Sequence, residues 1–378
     1  MKKVKKLKLN KNGKRLFGIA LLVFLIVITP FIIKAYKKNT LKKLSYDKQA
    51  INAILNKKLY KDIKEAGYSK TINYIVPSKD FDKNNIDKYK KINYVKQKDL
   101  CTNINKLLKK GYTTKEINLI VKNGTNDVVN DFVKKDYIEN ISSYLSFDYA
   151  KTRNIDRYIA YYNTERDTYD NVVTFVNIGL DKDFYTDTKY TDNYSETVLV
   201  NKYSAVSEKY KPEDLMTIDK KYWVDNEKQQ GAKVAVDAFE KMAKDAEKEG
   251  IYLLANSTYR SYKDQEDVYN TYKDLYGEKY ALRYAAKAGF SEHQTGLVVD
   301  IASKKSNLFD NTKEAAWVKD NAYKYGFILR YPKGKEGITG YKYESWHYRY
   351  VGKKIAKYIQ EHNITYDEYY YKFIDKEK

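Results

Sequence analysis

Histidine is almost missing from this chain: three residues in 378. Two of the three fall in short segments near the C-terminal end, Ser291-Glu292-His293-Gln294-Thr295-Gly296-Leu297-Val298-Val299-Asp300 and Glu344-Ser345-Trp346-His347. Imidazole this scarce leaves little for incidental surface use. Cysteine occurs once, at Cys101, which excludes an intramolecular disulfide and a Cys-rich zinc site. A single thiol is compatible with an exported protein, and Cys101 itself is expected as an ordinary half-buried small residue. Proline is also rare, at four residues against 41 tyrosines. With abundant Lys and Asn this has the look of compositional drift, and the tyrosines are assigned no collective role.

Acidic residues are in the minority, 50 against 71 Lys+Arg, for a formal charge of +21. Part of the excess is local: Lys2, Lys3, Lys5, Lys6, Lys8, Lys11, Lys14 and Arg15 stand together without an acidic neighbour. The rest is interspersed with carboxylates, as on a solvated basic surface. No nucleic-acid module accompanies the charge, so the expected partner is an anionic matrix outside the cell, such as a wall polymer, and not a nucleic acid.

Leu16 to Ile33 is apolar apart from Gly18, Thr29 and Pro30, and uncharged until Lys34. At ~1.5 Å per residue such a stretch just spans a hydrocarbon core. The basic segment before it outweighs Lys34, Lys37 and Lys38 after it, which predicts a cytoplasmic N-terminus and an extracytoplasmic remainder at the cell membrane. A cleaved signal peptide is the competing reading. The run is long for a signal core and no small-x-small site follows it, so an uncleaved single-pass anchor is preferred. The expected organisation is a basic cytoplasmic tail (1–15), an anchor (16–33), an extracytoplasmic spacer (34–195), a catalytic domain (196–360) and a C-terminal tail (361–378).

Within the spacer, Ile104, Leu107 and Leu108, then Ile117, Ile120 and Val121, recur at helical spacing on either side of Gly111, predicting a helical hairpin with Thr114 as cap and Glu116 in the first turn. Asp156–Tyr162 and Val172–Leu180 are expected as strands. From about 196 the pattern changes. Helices are predicted over Ala232–Lys248, Tyr262–Tyr276 and Glu314–Tyr325, and strands over Ile251–Ala255, Leu297–Ile301, Phe327–Arg330 and Tyr343–Val351. Pro332–Gly340 is expected as a loop. Mixed order without regular βαβ alternation implies an α+β fold, helices packed on an antiparallel sheet.

Two histidines, an aspartate and a glutamate suit a catalytic zinc site: three ligands, one open position and a base beside it. On one straight strand His293 and Asp300 would point to opposite faces, so the chain must turn between them, and Thr295-Gly296 is the place. Glu344 and His347 likewise need a kink to share a site. Either pair alone is weak; both pairs in a His-poor chain are not.

Ser-x-His-x-x-Gly-x-x-x-Asp (Ser291 to Asp300) followed by Glu344, Trp346, His347, Arg349, Tyr350, Val351 and Gly352 resembles the VanY-type D-alanyl-D-alanine carboxypeptidases, zinc enzymes of the M15 peptidase family. Tyr259-Arg260-Ser261 with Gln265, Arg330 to Lys335, and Ile338 to Tyr341 are similar too, and the likeness covers about 196–360. Val298 stands where alanine is frequent and Ser345 where proline is; neither removes a catalytic group. The resemblance implies the family's α+β fold (D-Ala-D-Ala peptidase/Hedgehog-like), one Zn²⁺ held by His293, Asp300 and His347, and Glu344 as general base. Arg260 is the candidate for oxyanion stabilisation or for clamping a substrate carboxylate. Gln265 and Ser291 are candidate substrate partners, and Trp346 a wall of the pocket. Arg349 and Tyr350 are expected to support the fold, and His362 to lie on the surface.

The resulting expectation is a membrane-anchored zinc carboxypeptidase that trims the terminal D-alanine from peptidoglycan stem peptides. The alternatives are an L,D-carboxypeptidase or endopeptidase on the same site, or a non-catalytic wall-binding protein.

Overall fold

The structure, a computed structural model, describes residues 11–304 and 309–377; the basic residues Lys2 to Lys8 lie outside it. Asn12–Lys43 is one 32-residue helix whose apolar window averages 3.0 in hydropathy and is buried by nothing. It is long and apolar enough to cross a membrane, a test that a signal sequence also passes.

The chain divides into two compact units, the first ending near Ser146 and the second running from Asn154 to Glu377 with Phe147–Ala150. The first is a succession of short helices, among them Lys48–Asn56, Lys70–Ile75, Leu100–Lys109, Thr114–Lys122 and Asn126–Phe132. Polar side chains begin them: Asp47 accepts from the Ala50 N–H, Ser69 from Ile72, and Thr113, one residue before the expected cap, forms a capping box with Glu116. Asparagines tie each step to one about 25 residues earlier. Asn73 accepts from the Asp47 N–H at 3.0 Å, Asn118 from Asn93 at 2.7 Å, and Asn126 from Asp99 at 3.1 Å. Cys101 is buried in this unit.

In the second unit, α1 (Ile155–Glu165) and α2 (Tyr169–Ile178) replace the two strands expected there. Valine, tyrosine and phenylalanine favour strands by propensity, but that preference is overridden by local caps and packing. The Thr168 hydroxyl accepts from the Asn171 N–H, Gly179 closes α2 at φ 109°, and Val172, Val173 and Val176 are buried together at helical spacing.

Two short pairs follow, β1 (Lys189–Thr191) with β2 (Ser204–Val206) and β3 (Leu215–Thr217) with β4 (Gln230–Ala232). Then come α3 (Lys233–Glu247), β5 (Leu253–Ser257), α4 (Tyr262–Tyr276), α5 (Glu278–Tyr284), β6 (Val298–Ser303), α6 (Lys313–Asn321), β7 (Phe327–Leu329), β8 (His347–Tyr350), α7 (Lys353–His362) and α8 (Tyr366–Tyr369). The main sheet has the order β5-β6-β8-β7 and is antiparallel throughout. The α+β expectation holds. Phe239, Met242 and Ala246 of α3 pack with Val299 and Ile301 of β6 and Val318 of α6, forming the core under the sheet. A second cluster joins Ile328, Val351 and Ile359 to Tyr366 and Tyr371, so the C-terminal residues are built into the unit.

Candidate active site

Strand register brings the first two groups together. Asp300 on β6 and His347 on β8 are directly opposed in the antiparallel ladder, so their side chains leave the same face of the sheet. His293 arrives by a different route, in the 3₁₀ turn Glu292–Thr295, which Gly296 ends at φ 69°. A Cβ at Gly296 would stand 2.9 Å from the Ala232 amide nitrogen, so the turn needs glycine for both conformation and space. The expected reversal between His293 and Asp300 is thus present. Glu344 precedes β8, and the His347 N–H bonds back to the Glu344 carbonyl at 3.3 Å, which supplies the expected kink.

One atom from each of His293, Asp300 and His347 lies within 4.8 Å of the others. His293 Nε2 is 3.4 Å from Asp300 Oδ2, and His347 Nδ1 is 3.1 Å from Asp300 Oδ1 and 3.5 Å from Glu344 Oε2. The other ring nitrogens face other groups. His293 Nδ1 is 2.6 Å from the Thr258 carbonyl, which fixes it as the donor and turns Nε2 toward Asp300. His347 Nε2 faces Glu292 Oε2 at 3.6 Å.

The donor set fits a divalent cation. Asp300 Oδ1 is buried with no hydrogen-bond partner, facing the ring nitrogens. Burial and the neighbouring Arg260 lower His293, though Asp300 pulls the other way. Desolvation also opposes charge on His347, yet the carboxylates of Asp300, Glu292 and Glu344 around it raise it to about 9. Asp300 is held well below the carboxylate range because attraction to His293 and His347 outweighs its burial. A field that holds a proton on His347 so firmly equally favours a metal ion at the same nitrogen.

Glu344 has the opposite bias. Burial pushes its carboxyl up to about 7; His347 partly offsets this, while Asp300 adds to it. A carboxyl tuned there exchanges protons near neutrality. Arg260 is half-buried, donating to Gln265 Oε1 at 2.7 Å and to Ser257 Oγ at 2.8 Å. Gln265 gives its own amide to the Ala286 carbonyl at 2.7 Å, so it holds Arg260 in place. Arg260, Gln265, Ser291, Glu344 and Trp346 all line one cleft with the triad. Trp346 is 42% exposed and forms a rim. His362 lies apart on the surface, stacked on Tyr358.

The sequence reading expected Arg349 to support the fold but missed Glu292, the group it supports. Glu292 is buried between two guanidinium groups: its Oε1 accepts from Arg330 at 2.8 Å and from Arg349 at 2.9 Å. Burial alone would raise Glu292, but both arginines hold it ionised, well below the carboxylate range. Arg330 continues to Asp367 of α8 with contacts of 2.6 and 3.3 Å. A chain of charges therefore runs from Asp367 through Arg330 and Glu292 to the back of His347. The available signal was arginines set among strand residues, Phe327-Ile328-Leu329-Arg330 and Tyr348-Arg349-Tyr350, since buried arginine demands a carboxylate. Tyr331, whose ring centroid is 4.8 Å from that of His347, was not singled out either.

Residues 228–353 match the family model described as VanY, D-alanyl-D-alanine carboxypeptidase. The chain is 43% identical over 209 residues to the putative carboxypeptidase YodJ of Bacillus subtilis (strain 168), spanning 51% of this chain and 76% of that protein. Two solved structures are similar. The LdcB LD-carboxypeptidase is 42% identical with a TM-score of 0.46, covering 50% of this chain and 94% of that one. A mutant of the vancomycin resistance D,D-pentapeptidase VanY, in complex with Zn(II), is 28% identical with a TM-score of 0.41, covering 46% and 98%. An identity of 43% across three quarters of a relative, with the motif residues gathered in one cleft, makes this chain a member of the VanY-type D-alanyl-D-alanine carboxypeptidases, the zinc hydrolases its sequence resembles.

Proposed function

We propose that the protein is a zinc-dependent D-alanyl-D-alanine carboxypeptidase that removes the terminal D-alanine from peptidoglycan stem peptides outside the cytoplasm. The observation that carries this reading is the meeting of His293, Asp300 and His347 beside Glu344 in one cleft. His293 Nε2, an Asp300 oxygen and His347 Nδ1 would hold the ion. Zinc in such a site supplies a Lewis acid and lowers the pKa of a water to roughly 7.

Glu344 takes the proton of the attacking water and returns it to the departing amine, because a carboxyl near neutrality gives and receives with equal ease. Arg260, held in a fixed fork by Gln265 and Ser257, presents its guanidinium to the substrate's terminal carboxylate or to the oxyanion. Tyr331 and Trp346 narrow the cleft. The Asn12–Lys43 helix would anchor the enzyme with its N-terminus inside, and the basic surface would favour an anionic wall.

Incubating the purified protein with a pentapeptide muropeptide, with and without chelator, tests this by mass. Loss of one alanine that chelator abolishes is expected. An intact pentapeptide with zinc bound would exclude D,D-cleavage, and trimming of the tetrapeptide instead would assign an L,D-carboxypeptidase. Replacing Arg260 should hurt substrates with a free carboxylate most if it is a clamp, and all substrates alike if it serves the oxyanion.

A further inference from the structure

We propose that a ladder of tyrosines leading out of the cleft is a sugar-binding subsite, which takes the glycan to which a stem peptide is attached. The inference rests on the peptidoglycan reading and extends it from the peptide to its carrier. Tyr272 and Tyr276 on α4 and Tyr280 and Tyr284 on α5 recur at every fourth position across the break at Gly277. Tyr272 and Tyr284 line the catalytic cleft. From Tyr284 the rings step outward, 4.3 Å to Tyr280 with the planes 21° apart, then 4.8 Å to Tyr276. Tyr272 and Tyr280 are also nearly parallel, at 22°.

The ladder bridges α4 and α5, but its outer rings lie outside the core of that hairpin. That pair closes on Tyr269, Ala281 and Ala285, with Tyr272 and Leu282 against them. Tyr276, Tyr280 and Tyr284 remain 60%, 39% and 40% exposed. Contiguous aromatic surface kept in water and continuous with a cleft marks a binding face. Its chemistry selects the occupant. Aromatic faces carry negative potential, which suits the C–H hydrogens on the flat side of a pyranose ring. The exposed Glu278, Lys279 and Arg283 stand on the same helix to meet hydroxyl and acetamido groups.

The test compares a free D-Ala-D-Ala-terminated pentapeptide with the same pentapeptide on its disaccharide, for wild type, Tyr276→Ala, Tyr280→Ala and Tyr280→Phe. Wild type should prefer the disaccharide form by about tenfold in kcat/KM, through KM, equivalent to 1.4 kcal/mol. The alanine variants should erase that ratio and Tyr280→Phe should keep it. A wild-type ratio of one, or a ratio that survives both alanine variants, overturns the proposal. If neither substrate is cleaved the peptidase reading fails, and the ladder is then judged by titration with a peptide-free N-acetylglucosamine oligomer. Binding by wild type that the alanine variants lose upholds the subsite; no binding overturns it. A change in sedimentation on Tyr280→Ala with the ratio intact would give the ladder to a second copy of the chain, and also overturns it.

Discussion

Glu344 must be ionised to accept a proton, yet its surroundings resist ionisation, holding it at about 7. Its folded value lies above the ordinary one, so folding retains its proton as pH rises past 4.5, and stability falls until about 7, where the loss is complete. Glu344→Gln should therefore stabilise the chelated protein by on the order of 3 kcal/mol at pH 8 and by nothing at pH 4. His347 also loses stability as pH rises, its contribution full below 6.5 and lost through about 9, but it is present in both proteins. Urea titrations across pH measure the gap, and zinc should narrow it by stabilising the carboxylate. A gap independent of pH would refute the assignment. The same variant should keep zinc while kcat falls by about 10²–10⁴, the usual worth of a general base.

Glu292 acts one layer below. Glu292→Gln removes the charge that Arg330 and Arg349 share and weakens the partner behind His347. Zinc affinity, measured by competition with a chromogenic chelator, should drop about 10–100-fold. Unchanged affinity would mean that the 3.6 Å approach to His347 does nothing for the metal.

At the scale of elements, the site depends on one turn, one strand register and one terminal segment. Gly296→Ala forces a Cβ into left-handed backbone and against the Ala232 nitrogen at 2.9 Å. A loss of about 1–3 kcal/mol is expected, with zinc affinity falling because His293 moves. Wild-type melting and zinc binding in this variant would mean that the turn tolerates the shift. Asp367→Asn should cost about 3–5 kcal/mol, since it strips a buried guanidinium of one carboxylate while keeping the side chain's shape. Urea midpoints measure it, and a change within 0.5 kcal/mol, the scale of an ordinary surface substitution, would show that the 361–377 segment adds little.

For the whole molecule, two units with separate cores predict two calorimetric transitions in a chain begun at residue 44, with only one of them raised by zinc. Both transitions moving together would show that the units unfold as one. The same chain should be soluble and turn over a free muropeptide like full-length protein, while the full chain, if Asn12–Lys43 is retained as an anchor, should sediment with membranes.

What could be read from the sequence alone was chemistry that must be local. Scarce histidine, the Ser291–Asp300 and Glu344–His347 segments, the glycine between His293 and Asp300, and the apolar run after Arg15 are properties of residues and short spacings. Helices bounded by strong caps, such as Tyr262–Tyr276 between Ser261 and Gly277, were equally legible. The strands expected at 156–162 and 172–180 failed because propensity is a weak preference that packing overrides. Tertiary structure alone decided which nitrogen of each histidine is free, that Asp300 faces His347 across two strands, and that Asp367 reaches back through Arg330 and Glu292. It also decided which few of 41 tyrosines stand together in water. Those are relations between residues far apart in the chain, set by strand register and burial, and no local pattern encodes them.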